Sequence, residues 1–236
     1  QMGNIKPGDN VCLVTDTGML SMAPAVAEAC TAAGGETVIC IMSPRNVPGN
    51  APPPMVAAAM KEAKVVIMLT TKNMFHTRAS SAAREAGVRM VNLRQMTEDL
   101  FSSDVLTPDY AKMYEETRRI ADLLSQASEA KVTSAQGTNL SMSLVGRTAL
   151  CNSGPLDPGN IMTLPAGEAA LAPVEGTLEG VLVVDYAIDG IGVLSSPVKV
   201  VAKKGRVSSI EGGKEATRLQ EILSQADANA YNFAEL

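Results

Sequence analysis

The chain has no tryptophan, three phenylalanines and four tyrosines in 236 residues. So few rings cannot readily form a platform on which nucleic-acid bases stack. The formal net charge of −5 gives no attraction to a phosphate backbone, so nucleic acid is excluded as a partner. No apolar run approaches the roughly 20 residues of a membrane-spanning helix. The opening Gln1–Lys6 has no secretory leader pattern. The four cysteines, Cys12, Cys30, Cys40 and Cys151, form no C-x-x-C pair, which excludes zinc-ribbon and thioredoxin-type sites. Cys12 and Cys40 lie within apolar runs, where a free thiol packs as a small hydrophobe. A reducing, cytoplasmic setting is the expectation. Ser80-Ser81 has no accompanying base, so serine catalysis has no support.

What is present is an aliphatic protein. Hydrophobic residues make up 46% and charged residues 19%, enough for a sizeable core. Thirteen methionines take over the filling that aromatic rings would otherwise do. The length fits one large domain or two ordinary ones.

Residues 1–130 read as alternating strands and helices. Strands are expected at 11–15, 37–41, 65–69 and 89–92. Helices are expected at 22–33, stopped by Gly34-Gly35, at 55–62 after Pro52-Pro53-Pro54, and at 79–86, stopped by Gly87. Val65–Leu69 is continuously apolar, as a strand buried on both faces would be. Thr107-Pro108-Asp109 caps a long helix from Tyr110 to about Ala127. This βαβα order predicts a parallel, Rossmann-like α/β domain with right-handed crossovers. Residues 131–236 change character. Thr138–Leu144 alternates polar and apolar, further strands are expected at 181–184, 198–201 and 206–210, and Lys203–Arg206 reads as a hairpin loop. A helix over 215–226 follows Gly212-Gly213. The second domain is therefore β-rich α+β.

Glu168 stands out because it sits on a Pro/Gly-bounded loop, Leu164-Pro165-Ala166-Gly167-Glu168, where no packed core asks for an acid. The run from Gly159 to Leu236 resembles the family containing aminopeptidase T, aminopeptidase S and the related iron-dependent 2,5-dihydroxypyridine dioxygenase. The resemblance rests on that loop, on Glu175-Gly176-Thr177-Leu178-Glu179-Gly180, on Gly205-Arg206-Val207, on Ile210–Ala216 and on Phe233-Ala234-Glu235. Phe75-His76-Thr77-Arg78 and Ala86-Gly87-Val88-Arg89 fit the family's first domain.

The resemblance implies a metallo-enzyme whose metal is held by the C-terminal domain, with Glu168 and Glu235 as ligands. The family's remaining ligands, several His and an acid, lie further along its chain, and this sequence is expected to be C-terminally truncated before them. In the aminopeptidase branch, Zn, Co or Mn lowers the pKa of a bound water and polarises a peptide carbonyl. In the dioxygenase branch, two His and a carboxylate leave positions open on Fe(II), and His76 is the acid–base group for a substrate hydroxyl. The first expectation is thus a metal-dependent aminopeptidase acting on peptide N-termini. The alternatives are an Fe(II) ring-cleaving dioxygenase acting on a small molecule, and an inactive relative serving as a binding or oligomerisation domain. The resemblance also implies a homodimer.

Each residue has a plainer reading beside this one. Glu168 can be a solvated loop acid, Glu235 a chain-end acid and His76 a capping or packing residue. Asp16-Thr17-Gly18 follows the first strand, where open α/β sheets bind ligands, but it lacks the G-x-G-x-x-G of a nucleotide site. Glu175 and Glu179 flank a turn. Gly212-Gly213 is a strand-to-helix connection, and Lys199, Lys203, Lys204 and Arg206 a solvated hairpin.

Overall fold

The computed structural model describes residues 3–93, 96–154 and 156–236. In chain order it contains β1 (Asn10–Asp16), α1 (Ala23–Ala32), β2 (Glu36–Met42), α2 (Pro54–Glu62), β3 (Val65–Leu69), α3 (Arg78–Glu85), β4 (Arg89–Leu93), α4 (Glu98–Phe101) and α5 (Tyr110–Gln126). There follow β5 (Glu129–Thr133), β6 (Asn139–Ser143), β7 (Leu150–Asn152), β8 (Ile161–Leu164), β9 (Glu168–Ala170) and β10 (Glu179–Val184). The chain closes with β11 (Ala187–Ile188), β12 (Gly192–Val193), β13 (Val198–Lys203), β14 (Arg206–Glu211) and α6 (Lys214–Gln225). Among the described residues no helix is long and apolar enough to cross a membrane.

Two compact units emerge, residues 1–117 with 151–168, and residues 118–150 with 169–236. The sequence suggested a contiguous division at 130. The units are instead interleaved, because β8 pairs with β4 in the first unit's sheet. Four residues with little periodicity of their own carry that return.

The first unit is a parallel sheet in the order β2-β1-β3-β4-β8. Alternate side chains feed two apolar layers. Val11, Leu13, Val65, Ile67 and Leu69 meet Ala23, Val26 and Cys30 of α1 on one face. Cys12, Val14, Val66, Met68 and Met90 meet Val56 and Met60 of α2 and Ala83 of α3 on the other. Every residue of β3 and β4 is buried, as the continuous apolar run of β3 predicts. At 25 cal/mol per Å², each fully buried Leu or Met contributes about 1.5–3 kcal/mol. The turn before β1 is locked by a partly buried ion pair between Asp9 and Arg89 at the start of β4. Burial pushes the Asp9 carboxyl up, but the Lys6 amide and the Arg89 guanidinium outweigh it and hold the group below its ordinary value.

The second unit is an antiparallel sheet in the order β14-β13-β10-β6-β5. Lys204 and Gly205 take positive φ, 51° and 71°, in the two-residue turn that joins β13 to β14, confirming the expected hairpin. α6 packs Ala216 against Val198 and Val200. The Gly212-Gly213 junction is a strand-to-helix connection whose following acid, Glu215, is buried and accepts hydrogen bonds from Ser195 N (3.2 Å) and Ser195 Oγ (2.8 Å). The Ser195 hydroxyl bond, partly opposed by burial, holds the Glu215 carboxyl below its ordinary value. The Glu-Gly-Gly-Lys-Glu-Ala motif is thus explained by packing and anchoring of the helix start.

Candidate active site

In an open parallel sheet the crevice for a ligand lies beyond the carboxyl ends of the strands, where successive crossovers leave in opposite directions. Here that point falls between β1 and β3, since β2 lies to one side of β1 and β3 to the other. The chain places polar residues at those ends after apolar runs: Asp16 after β1's Val11–Val14, Thr70-Thr71 after β3, and Asn92 near the end of β4.

Asp16 is fully buried. Its Oδ2 accepts from Thr71 N (2.7 Å) and Thr71 Oγ1 (2.8 Å), and its Oδ1 from Gly18 N (3.0 Å). A Cβ on Gly18 would come within 2.6 Å of Thr71 Cγ2. The crevice between β1 and β3 is therefore closed by protein groups, which accounts for Asp16-Thr17-Gly18 without a nucleotide.

The loop from Thr70 to Thr77 stands beside that closure and carries His76. Its backbone is braced at nearly every step. Asn73 Oδ1 accepts from Phe75 N (2.8 Å) and from Asn92 Nδ2 (3.4 Å), and Asn73 O accepts from Gly49 N (2.8 Å) in the connection after β2. The carbonyl of fully buried Met74 accepts from Thr77 N, Thr77 Oγ1 (2.9 Å) and Ser80 Oγ (2.7 Å). The N-cap of α3 is Thr77, whose Oγ1 accepts from Ser80 N, so His76 is not the capping residue. Its imidazole is exposed, with its ring centroid 4.6 Å from that of Phe75. An exposed imidazole between two fixed residues can exchange a proton with a small molecule without first paying to order its own backbone.

Sequence reasoning singled out His76 but not Asn73, Asn92, Thr71 and Thr77, which brace the loop that carries it. Their only signal is a polar residue ending an apolar strand. It also missed Arg45, in the connection that includes Gly49. The Arg45 Nε is buried with no hydrogen-bond partner among the described residues, and Nη2 reaches only Ser43 O, at 3.4 Å. An acceptor supplied by a ligand would satisfy it.

Glu168 is exposed, and it opens the short strand β9 rather than standing in a loop. Its Oε2 accepts from Asn152 Nδ2 (2.9 Å), and Gly167 N donates to Asn152 O (3.1 Å). Asn152 Oδ1 also accepts from Thr163 N (3.3 Å), so one asparagine ties Glu168 to β8. Glu235 is exposed in the second unit. Its backbone is pinned on both sides: Phe233 N donates to Gly205 O (2.9 Å), and Leu236 exchanges two hydrogen bonds with Leu171 (2.9 and 3.0 Å). Arg206 reaches Asn232 Oδ1 and Ala228 O (both 2.6 Å). Phe233 and Leu236 pack into the core. Glu175 pairs with Arg147, and Glu179 Oε1 accepts from Lys204 N (2.8 Å), so both acids brace turns.

Among the described residues no group of three or more His, Cys, Asp or Glu could hold a metal ion. The donors implied by resemblance, Glu168 and Glu235, are two carboxylates, whereas a catalytic metal takes at least three protein ligands. These residues by themselves do not fit the metal.

A hollow of about 230 Å³ lies beside α1, lined by Val26, Cys30, Ile67, Val91, Leu93 and Leu164 among others. The Cys30 thiol, raised by burial, is no nucleophile there. None of the residues of the His76 loop lines it.

The sequence model of the NicX family, 2,5-dihydroxypyridine 5,6-dioxygenase, matches residues 1–236. Among solved structures, a 2,5-dihydroxypyridine dioxygenase from Pseudomonas putida KT2440 superposes with a TM-score of 0.81 at 19% identity, over 99% of this chain and 71% of that one. Wild-type AmpT from Thermus thermophilus gives a TM-score of 0.62 at 16% identity, over 99% of this chain and 74% of that one. At these identities the two structures establish the shared α/β fold alone. No curated protein sequence matches.

Proposed function

Because this chain belongs to the 2,5-dihydroxypyridine 5,6-dioxygenase family, we propose that it acts in oxidative cleavage of a dihydroxylated pyridine ring between carbons 5 and 6. The family match over every residue supports this reading above the aminopeptidase reading, which has only a fold likeness behind it. The proposed catalytic residue is His76. Its exposed imidazole takes the proton of a ring hydroxyl, leaving an electron-rich ring that reacts more readily with O₂. Asn73, Met74 and Thr77 brace the backbone from which the imidazole projects. Arg45 offers the hydroxypyridine oxygen a charged donor.

Iron is the cofactor that the reading implies, and it would supply the redox chemistry with O₂. Glu168 and Glu235, the carboxylates that the resemblance implies as ligands, fall short of a set that would hold it among the described residues. The test is oxygen uptake with 2,5-dihydroxypyridine by protein loaded anaerobically with Fe(II). His76→Ala is expected to lower turnover by about 10²–10⁴-fold with its unfolding midpoint unchanged. Absence of uptake, or release of p-nitroaniline from leucyl p-nitroanilide with Zn²⁺, Co²⁺ or Mn²⁺, overturns the proposal. Unchanged turnover in His76→Ala removes His76 from it.

A further inference from the structure

Cys12 of β1 and Cys40 of β2 lie on the sheet face that meets α2 and α3, and Cys12 Sγ donates to Cys40 Sγ at 3.7 Å. The strand register pairs Cys12 with Val38 and Val14 with Cys40, so the two cysteines are diagonal neighbours. Diagonal neighbours in a sheet have Cα atoms about 7–8 Å apart. A disulfide needs less than about 7 Å. The thiols therefore meet without being placed to bond to each other. Cys12 is buried and Cys40 half-buried. Burial, with a smaller push from Cys40, raises the Cys12 thiol to about 12, which removes it as a nucleophile at neutral pH.

The surroundings of the pair are rich in sulfur. Met42, Met60 and Met68 belong to the same apolar layer. Met42 follows Cys40 by two residues and so shares its face of β2. Met68 lies on β3 beside Val14, and fully buried Met60 comes from α2. Harder donors are engaged or placed elsewhere. His76, the single histidine, is exposed in the loop after β3, and the buried Asp16 carboxylate accepts from Thr71 and Gly18. Two sulfurs that share a tetrahedral ion through bonds of about 2.3 Å stand about 3.7–3.8 Å apart, which is the spacing of this pair. Thiolate and thioether donors together select copper(I), whereas zinc closes its structural sites with four Cys or His. β2 is also the outer strand of its sheet, and Val38, two residues before Cys40 on the same face, is 61% exposed. An ion can therefore approach Cys40 from solvent without opening the core.

We propose that Cys12 and Cys40 are the two thiolate ligands of a copper(I) site, completed by thioether sulfur from the methionines around them. The site uses none of the residues assigned to ring cleavage. On binding, the two S–H bonds break, two Cu–S bonds form and both protons leave to water, while the ion keeps its oxidation state. Two thiolates and one copper(I) leave a single negative charge. Cys40, at the half-buried edge of the layer, brings that charge within reach of water, which lowers the cost of holding it. Because the Cys12 thiol keeps its proton at neutral pH until the ion arrives, affinity rises with pH. Two thiols that merely fill the layer as small hydrophobes would hold no ion and show no such dependence.

The test is anaerobic titration of the reduced full chain with copper(I) in competition with bicinchoninate, whose copper complex is coloured. The expected result is one ion held per chain, with affinity rising about tenfold or more per pH unit between about pH 6 and 8. The X-ray absorption spectrum of the loaded protein should show sulfur neighbours alone, more than two of them. Cys40→Ser should weaken binding by more than the roughly 10–100-fold that loss of an outer partner costs. Its half-buried position spares the core, which an unchanged circular dichroism melt checks. Cys12→Ala should weaken binding equally. Cys30→Ser and Cys151→Ser should keep the ion, since Cys30 lies in the opposite apolar layer and Cys151 beside Ser153. No ion retained, an ion retained by Cys40→Ser, an affinity indifferent to pH, or nitrogen or oxygen beside the ion overturns the proposal. None of these readouts depends on dioxygenase activity.

Discussion

Replacing Asp16 with asparagine keeps the size of the side chain and removes one acceptor oxygen. In the wild type Oδ2 serves two donors of Thr71 and Oδ1 serves Gly18 N, around a carboxylate that is itself fully buried. The cheaper orientation of the new amide turns its NH₂ toward Gly18, which loses one hydrogen bond to a charge and sets donor against donor. That costs about 2–3 kcal/mol. Asp16→Ala strands all three donors. The Thr71 hydroxyl can turn to another acceptor and exposed Gly18 can turn its amide to water, but the Thr71 amide cannot, so the cost is about 3 kcal/mol. At roughly 2–4 °C per kcal/mol for a chain of this size, asparagine should lower the first unit's unfolding midpoint by about 4–12 °C. Because two units need not unfold together, the readout should be local: urea-dependent hydrogen exchange of peptides covering β1 and β3. Thr71→Val should be costly too, and the double variant should lose less than the sum, since both members serve one network. An Asp16→Asn protein within about 0.5 kcal/mol of the wild type would refute the closed-crevice account and reopen Asp16 as a ligand-facing acid.

Three other perturbations have defined outcomes. The Asp9 carboxyl is held below its ordinary value in the folded state, so its contribution is present above the unfolded pKa and is lost as pH falls through the folded one. The stability gap between wild type and Asp9→Asn should be widest near neutrality and close in acid, which a series of thermal midpoints against pH will show. Gly180→Ala would put a Cβ 2.0 Å from the Asn139 carbonyl oxygen at a φ of 121°, forcing β10 from β6. A loss of about 3 kcal/mol or more is expected, read as lowered soluble yield and urea midpoint. Lys204→Asn places a residue tolerant of positive φ in the β13–β14 turn and should raise stability by about 0.5 kcal/mol in the same urea assay.

Much of this architecture is legible in the residues, for identifiable reasons. The strands β1 to β4 and helices α1 to α3 carry their own signals: apolar runs, Gly34 and Gly87 as stops, Pro at a helix start. The β13–β14 hairpin announces itself through Lys204-Gly205. By contrast β8 is four residues whose strand character exists only beside β4, and β5 alternates charged and small residues without an apolar stripe. The interleaving of the units is invisible for that reason. His76 is conspicuous as the single histidine, while the groups that hold its loop are ordinary Asn and Thr side chains. Their importance comes from which strand ends lie side by side, and a linear pattern does not carry that.

The return of β8 to the first sheet also bears on the order of events when the chain folds. β4 and β8 pair residues about 70 positions apart, with the second unit's first strands between them. A ribosome will have delivered β1 to β4 and most of an antiparallel hairpin before the last parallel strand exists. Until then β4 is a raw edge, exposed during synthesis at the moment when a nascent chain is most prone to wrong partners. A fragment cut at residue 130 should keep that edge permanently and aggregate more than the full chain does.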